Sequence, residues 1–217
     1  MESQNIVAFT QPIRPLHWVI KVSDLKQALN LLTSLGARVL RHEEFESGCE
    51  ASCNGPYSGY WSKSMVGWSN EDESFVFELT FNYGVTSYKR GNDLACLVMH
   101  KFNSAGEDME AVVNKLHPDA SKSADGVFKL INDDFVLKFE DSKAEAGAQL
   151  VKGLELNVTD KEASLAFYEK VGMTKSDNGA LTCKNFPYFT MKLNWVEAID
   201  RGEAYGRLAF SCADADV

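Results

Sequence analysis

The 217-residue chain has no apolar run near the ~18 residues that a helix needs to cross a bilayer, so a helical membrane span is not expected. Residues 1–11 lack a basic segment followed by an apolar one, which argues against a secretory signal. They carry Glu2 and no arginine, so a mitochondrial presequence has no support either. Positive charge is scarce: 22 Lys and Arg face 31 Asp and Glu, for a formal net charge of −9, and no basic run occurs. Duplex nucleic acid and anionic membranes both demand clustered positive charge, so neither is an expected partner. There is no P-loop, no G-x-G-x-x-G and no G-x-S-x-G, which leaves phosphate-loop, dinucleotide and serine-hydrolase chemistry without a motif. The five cysteines (49, 53, 96, 183 and 212) are odd in number and scattered, as suits buried free thiols in a reducing, cytoplasmic compartment, with a mitochondrial location not excluded. Cys49 and Cys53 form a C-x3-C with no second pair, which does not make a structural zinc site.

A long-range repeat is present. His17–Asp24 reads HWVIKVSD and Gly153–Asp160 reads GLELNVTD; each alternates like a strand and then meets a helix start. Ser23 and Thr159 are the expected N-caps. An offset of 136 residues carries Asp24 to Asp160, Leu29 to Leu165 and Gly36 to Gly172. Both glycines stand where a left-handed C-terminal cap is expected. Strand-like segments follow each helix: 37–43, 61–67 and 75–82 in the first copy, 180–184 and 188–195 in the later one. A second echo, RGNDLACL at 90–97 and RGEAYGRL at 201–208, marks the openings of two more units. The unit near 94 is expected to hold a helix at 106–116 and strands near 127–131 and 135–140.

The expected class is therefore α+β, built of repeated βαβββ modules with curved mixed sheets. The modules run 14–85, 91–141, 150–196 and 204–217, the last incomplete. The acidic, Ala-rich stretch from Asp141 gives a linker at 142–149, between domains at 14–141 and 150–217.

This unit order resembles the vicinal-oxygen-chelate superfamily (glyoxalase, bleomycin-resistance and dioxygenase proteins). FELTFNYGV (77–85) resembles the metal-bearing strand of glyoxalase I. Residues 41–67, with KRGND at 89–93 and YGRLAFSC at 205–212, are similar to a glyoxalase-domain group with a complete fourth module, so the chain looks C-terminally truncated beside it. The resemblance implies that His17 and Glu78 are metal ligands, since both match ligand positions of glyoxalase I. There a divalent metal of the zinc or nickel type holds the oxygens of a glutathione adduct, and a ligand carboxylate moves a proton between neighbouring carbons. That implies a lyase or isomerase of glyoxalase I type acting on a small carbonyl or thiol adduct, with glutathione as co-substrate and Glu78 as the catalytic carboxylate. Lys21 and Asn82 match residues that contact glutathione; read without the resemblance, Lys21 is a solvated strand residue and Asn82 a turn residue.

A superfamily site takes two positions from each of two modules, and the other positions here are poor donors. In the second module they fall on Cys96 and Lys138, in the third on Gly153 and Lys192, and in the fourth on Arg207, with its last one beyond Val217. If the first module pairs with the fourth, the set is His17, Glu78 and Arg207; if with the second, it is His17, Glu78, Cys96 and Lys138. A set of Cys96, Lys138, Gly153 and Lys192 cannot hold a cation. A carboxylate inside FVFELTF is costly to bury alone, and Arg207 is a candidate ion-pair partner for Glu78. His42, His100 and His117 show no ligand spacing, and Tyr57, Tyr60, Trp61 and Trp68 read as core and loop packing. The competing reading is a binding or interaction module that keeps the fold after losing the chemistry. An uncovered edge on the last module points to association with a second copy or a protein partner.

Overall fold

The structure, a computed structural model, describes residues 13–48, 57, 59–204 and 206–211. The first module is β1 (Arg14–Lys21), α1 (Leu25–Ser34), β2 (Arg38–Phe45), β3 (Trp61–Gly67) and β4 (Val76–Asn82). The second is β5 (Leu94–Phe102), α2 (Met109–Leu116), β6 (Ser121–Lys122), β7 (Val127–Leu130) and β8 (Phe135–Lys143). The third is β9 (Val151–Val158), α3 (Lys161–Lys170), β10 (Thr174–Lys175), β11 (Leu181–Cys183) and β12 (Phe186–Trp195), and β13 (Arg207–Ser211) opens a fourth. Short β6 and β10 lie outside the strands expected from sequence.

Each helix begins at an aspartate; in α1 and α3 it lies one residue after the Ser or Thr expected to cap it. Asp24 accepts from Gln27 N at 2.9 Å and Asp160 from Ala163 N at 2.9 Å. Ser23 is otherwise engaged: its backbone N and its Oγ both donate to Asp134. Gly36 and Gly172 take φ of 88° and 102°, the left-handed cap that the repeat pointed to.

Within every complete module the first strand pairs in parallel with the last: β1 with β4, β5 with β8, and β9 with β12. A parallel pair needs a long crossover, which the helix and the middle strands supply. Modules then join through their first strands, antiparallel, β1 to β13 and β5 to β9. The result is a five-stranded sheet, β13-β1-β4-β3-β2, and an eight-stranded sheet, β10-β11-β12-β9-β5-β8-β7-β6. The first module thus pairs with the fourth and the second with the third, so the sheets join segments across the linker expected at 142–149. The 111-residue echo has a spatial meaning too. Its two Arg-Gly copies meet through an Arg90–Gly202 bridge, flanked by Asn92 N donating to Asp200 O at 2.7 Å and Glu203 N to Lys89 O at 2.8 Å.

One apolar core runs through both sheets. Phe75, fully buried just before β4, stacks on Phe189 of β12 with ring centroids 4.3 Å apart, and its backbone N donates to Gln149 Oε1. Truncating so enclosed a ring leaves a cavity, so Phe75→Ala is expected to cost about 3–5 kcal/mol in denaturant unfolding. A cost below 1 kcal/mol would show that the two sheets do not share this core. Among the described residues no helix is long and apolar enough to cross a membrane.

Candidate functional site

Strand alternation puts His17, Val19 and Lys21 on one face of the five-stranded sheet. In the same way β4 turns Glu78, Thr80 and Asn82 to that face. Arg207, Val19, Glu78 and Met65 form one row across β13, β1, β4 and β3. A cavity of about 630 Å³ opens on this face, lined by His17, Glu78, Arg207, Lys63, Phe45 and Trp61 among others. The pairing of first and fourth modules therefore brings His17, Glu78 and Arg207 together, and leaves Cys96 and Lys138 on the other sheet.

His17 Nε2 and Glu78 Oε2 lie 3.6 Å apart, and both side chains are four-fifths buried. On its other side His17 Nδ1 is hydrogen-bonded to Glu71 Oε1. Glu78 thus faces His17, and Arg207 lines the same cavity from β13. Phe45 and Trp61 stack at 4.3 Å and form an apolar wall, with Trp61 Nε1 donating to Ser47 O at 2.8 Å. Lys63 bridges to Glu43 at 3.2 Å. Trp61 was read from sequence as packing; it is buried and also walls the cavity.

Lys21 and Asn82 lie further along the same face, beyond the cavity lining. Lys21 is 1% exposed, so it is a buried residue and not a solvated one; its alternation with Val19 and His17 placed it on the inner face. Asn82 closes β4 and is 3% exposed, with Nδ2 donating to the Tyr88 hydroxyl at 2.9 Å. Burial pushes the Tyr88 phenol up. Glu71 was missed because it sits in the acidic turn between β3 and β4, where a carboxylate reads as solvated. Only the turn's fold brings it to His17.

The corresponding positions of the eight-stranded sheet hold ammonium groups. Lys138 reaches Glu155 at 3.5 Å, and Lys192 reaches Glu140 at 3.7 Å and Glu155 at 4.0 Å. Burial works against the Lys138 charge, but Glu155 and its neighbours together outweigh it and the pKa rises; burial likewise opposes the Glu140 charge, but Lys152, Lys192 and Lys138 together outweigh it and the pKa falls. Gly153 has no room for any side chain, since a Cβ there would lie 1.8 Å from the Thr190 carbonyl oxygen. Cations paired to two glutamates thus stand at these positions.

Cys96 is 1% exposed, and burial, reinforced by Glu155, pushes its thiol up to about 12. Burial likewise pushes Cys183 up to about 11. Both are free. Neither is expected to react with an alkylating reagent at pH 8 until the chain unfolds, because the thiolate is the nucleophile. Labelling of either in the native state, read by peptide mass, would contradict their burial. Cys49, Cys53 and Cys212 lie outside the described residues.

No group of three or more His, Cys, Asp and Glu side chains able to hold a metal ion occurs among the described residues. On the cavity face the His17 imidazole and the Glu78 carboxylate stand together, both groups usual as ligands for zinc and its neighbours, and Glu46 also lines the cavity.

Paired βαβββ units, with a His and a Glu from the first and last strands of one unit facing a shared cavity, define the vicinal-oxygen-chelate class. Glyoxalase domain-containing protein 4 of Rattus norvegicus is 36% identical over 212 residues, covering 94% of this chain and 70% of its own length. Glyoxalase 1 of Caenorhabditis elegans is 34% identical over 204 residues, covering 91% of this chain and 69% of its own. Among solved structures, glyoxalase I from Zea mays aligns with a TM-score of 0.66 at 21% identity, over 93% of this chain and 75% of that one, a likeness of fold. No protein-family model matches. The chain belongs to the glyoxalase family of the vicinal-oxygen-chelate superfamily.

Proposed function

We propose that this chain is a lyase or isomerase of glyoxalase I type, acting on a small carbonyl–thiol adduct at the cavity between its first module and β13. The observation that carries this is the pair His17 Nε2 and Glu78 Oε2, 3.6 Å apart on a cavity wall. With its proton on Nδ1, the His17 ring turns the Nε2 lone pair toward the Glu78 carboxylate, and a cation between the two satisfies both. Two metal–ligand bonds of about 2.0–2.2 Å can bridge that gap, so the donors fit a divalent ion of the zinc or nickel type. Such an ion, when bound, polarises a substrate oxygen and acidifies the neighbouring C–H.

The side chains around it supply the rest. Glu78 is the base: its carboxylate takes the proton from one carbon and returns it to the next. Arg207 stands where a paired module would supply a third donor, so this site is degraded in ligand number and holds the ion weakly. Arg207 and Lys63 attract the carboxylates of a thiol such as glutathione. Phe45 and Trp61 cover the apolar part of the adduct and keep water from the abstracted proton.

The test is turnover of the methylglyoxal–glutathione adduct by the purified chain with added Zn²⁺ or Ni²⁺. Metal-dependent turnover supports the proposal, and its absence with every metal overturns it. Arg207 at a ligand position favours one alternative, a catalytically silent binding module. That alternative predicts adduct binding by calorimetry with no metal requirement and no product.

A further inference from the structure

We infer that Glu71 is a positioning residue: its carboxylate accepts the Nδ1 proton of His17 and so holds the ring with an unprotonated Nε2 turned to Glu78 and the cavity. The inference deepens the reading of His17 as a metal ligand and rests on it for its purpose, although the tautomer can be observed without metal.

A neutral imidazole has one N–H, and it goes to the nitrogen that faces the better acceptor. If the proton sat on Nε2, it would point at Glu78 and occupy the lone pair that a cation needs. A carboxylate on the far side of the ring reverses that choice. Here Glu71 Oε1 is hydrogen-bonded to Nδ1, whereas Glu78 Oε2 stands off from Nε2 at 3.6 Å. The nearer carboxylate takes the proton.

The turn that carries Glu71 is built to hold it there. Glu73 N and Ser74 N both donate to Asn70 O, at 3.0 and 2.9 Å, and Ser69 Oγ donates to Glu73 Oε2 at 2.6 Å. Arg14, three residues before His17 on β1, fastens the turn to the same strand. Its Nη1 donates to Ser74 O at 3.3 Å and its Nη2 to the Glu71 carbonyl oxygen. The guanidinium lies over the Phe186 ring, 5.3 Å from its centroid. So the strand that presents His17 also anchors the backbone of the residue that orients it. Nothing else described in the chain uses Glu71: its side chain, one-third exposed, faces the ring of His17 from outside the cavity.

Outer partners of metal-bound histidines fix the tautomer and raise ligand basicity, and losing one typically costs about 10–100-fold in metal affinity. The first experiment uses the full chain, ¹⁵N-labelled at histidine, metal-free at pH 8. Long-range ¹H–¹⁵N correlation should show His17 protonated at Nδ1. Glu71→Ala should move the proton to Nε2, and Glu71→Gln, whose amide oxygen still accepts, should restore it. His42, His100 and His117 report in the same spectra that the fold is intact. A native His17 protonated at Nε2 or at both nitrogens, or an unchanged tautomer in folded Glu71→Ala, overturns the inference. The second experiment titrates Zn²⁺. Glu71→Ala should weaken binding about 10–100-fold relative to the native chain. Equal affinity in the two would overturn the positioning role. An Nδ1–H tautomer in a native chain that binds no Zn²⁺ keeps the assignment of Glu71 and sinks the metal-dependent function, so the two failures are distinct.

Discussion

Replacing Asp134 by alanine is expected to destabilise the fold by about 3–5 kcal/mol. The Asp134 side chain is fully buried and accepts a hydrogen bond from Arg90 Nη2, one from Ser23 N and one from Ser23 Oγ at 2.8 Å. Arg90 also donates to Lys21 O at 2.9 Å and lies over the Tyr88 ring, 5.1 Å from its centroid. Burial has already lowered the Arg90 pKa to about 10, which leaves it charged at neutral pH. Without Asp134 that charge stays buried with no carboxylate in contact. Breaking one side of such a pair costs far more than the net value of the pair, because the survivor cannot be rehydrated. The contact ties the end of β1 to the turn before β8, so it links the strand of His17 to the second module. Denaturant unfolding followed by circular dichroism measures the change. A loss under 1 kcal/mol would show that Arg90 finds water, and that the ion pair does not join the two sheets.

Glu78→Gln is expected to lower turnover by about 10²–10⁴-fold, the range that general acid–base catalysis contributes. The amide keeps the shape of the side chain but cannot take a proton, and it is a poor partner for a divalent ion. Stability should change little, because Glu78 is partly exposed on the cavity wall and stands 3.6 Å from His17, beyond hydrogen-bond reach. Rates measured at saturating metal separate the loss of the base from the loss of the ion. Full activity in Glu78→Gln would remove this residue from the chemistry.

Much of the fold was legible because repetition does not depend on propensity. The 136-residue offset located the helices of two modules and the 111-residue offset the openings of the other two, and β3 and β4 fell within a residue of their expected ends. Pairing between modules was not legible. β1 could meet the first strand of the second or the fourth module, and only long-range hydrogen bonding decides, since both first strands carry the same alternation. The cap of α1 was placed one residue early because Ser23 has a partner in Asp134, distant in sequence.

The site divides in the same way. His17 and Glu78 could be placed on one face because strand positions keep their spacing to a helix start or to a strand motif. The buried state of Lys21 followed from alternation with His17 but was overlooked in favour of its charge. Glu71 carried no signal at all: an acidic turn is ordinary, and its meaning comes from Arg14 and the hydrogen bonds that fold the turn onto β1. The positions of Lys138, Lys192 and Gly153 in the second sheet could be read from the module alignment. The glutamates that pair with those lysines, Glu140 and Glu155, emerged only once the strands were in register.

The central claim is that this chain keeps one metal position, made by His17 and Glu78, and has replaced the other with lysine–glutamate pairs. Isothermal titration with Zn²⁺, backed by metal content after gel filtration, tests it most directly. The account predicts one ion per chain, abolished in His17→Ala and Glu78→Gln and retained in Cys96→Ala. Two ions per chain, none, or an ion that survives loss of both His17 and Glu78 would contradict it.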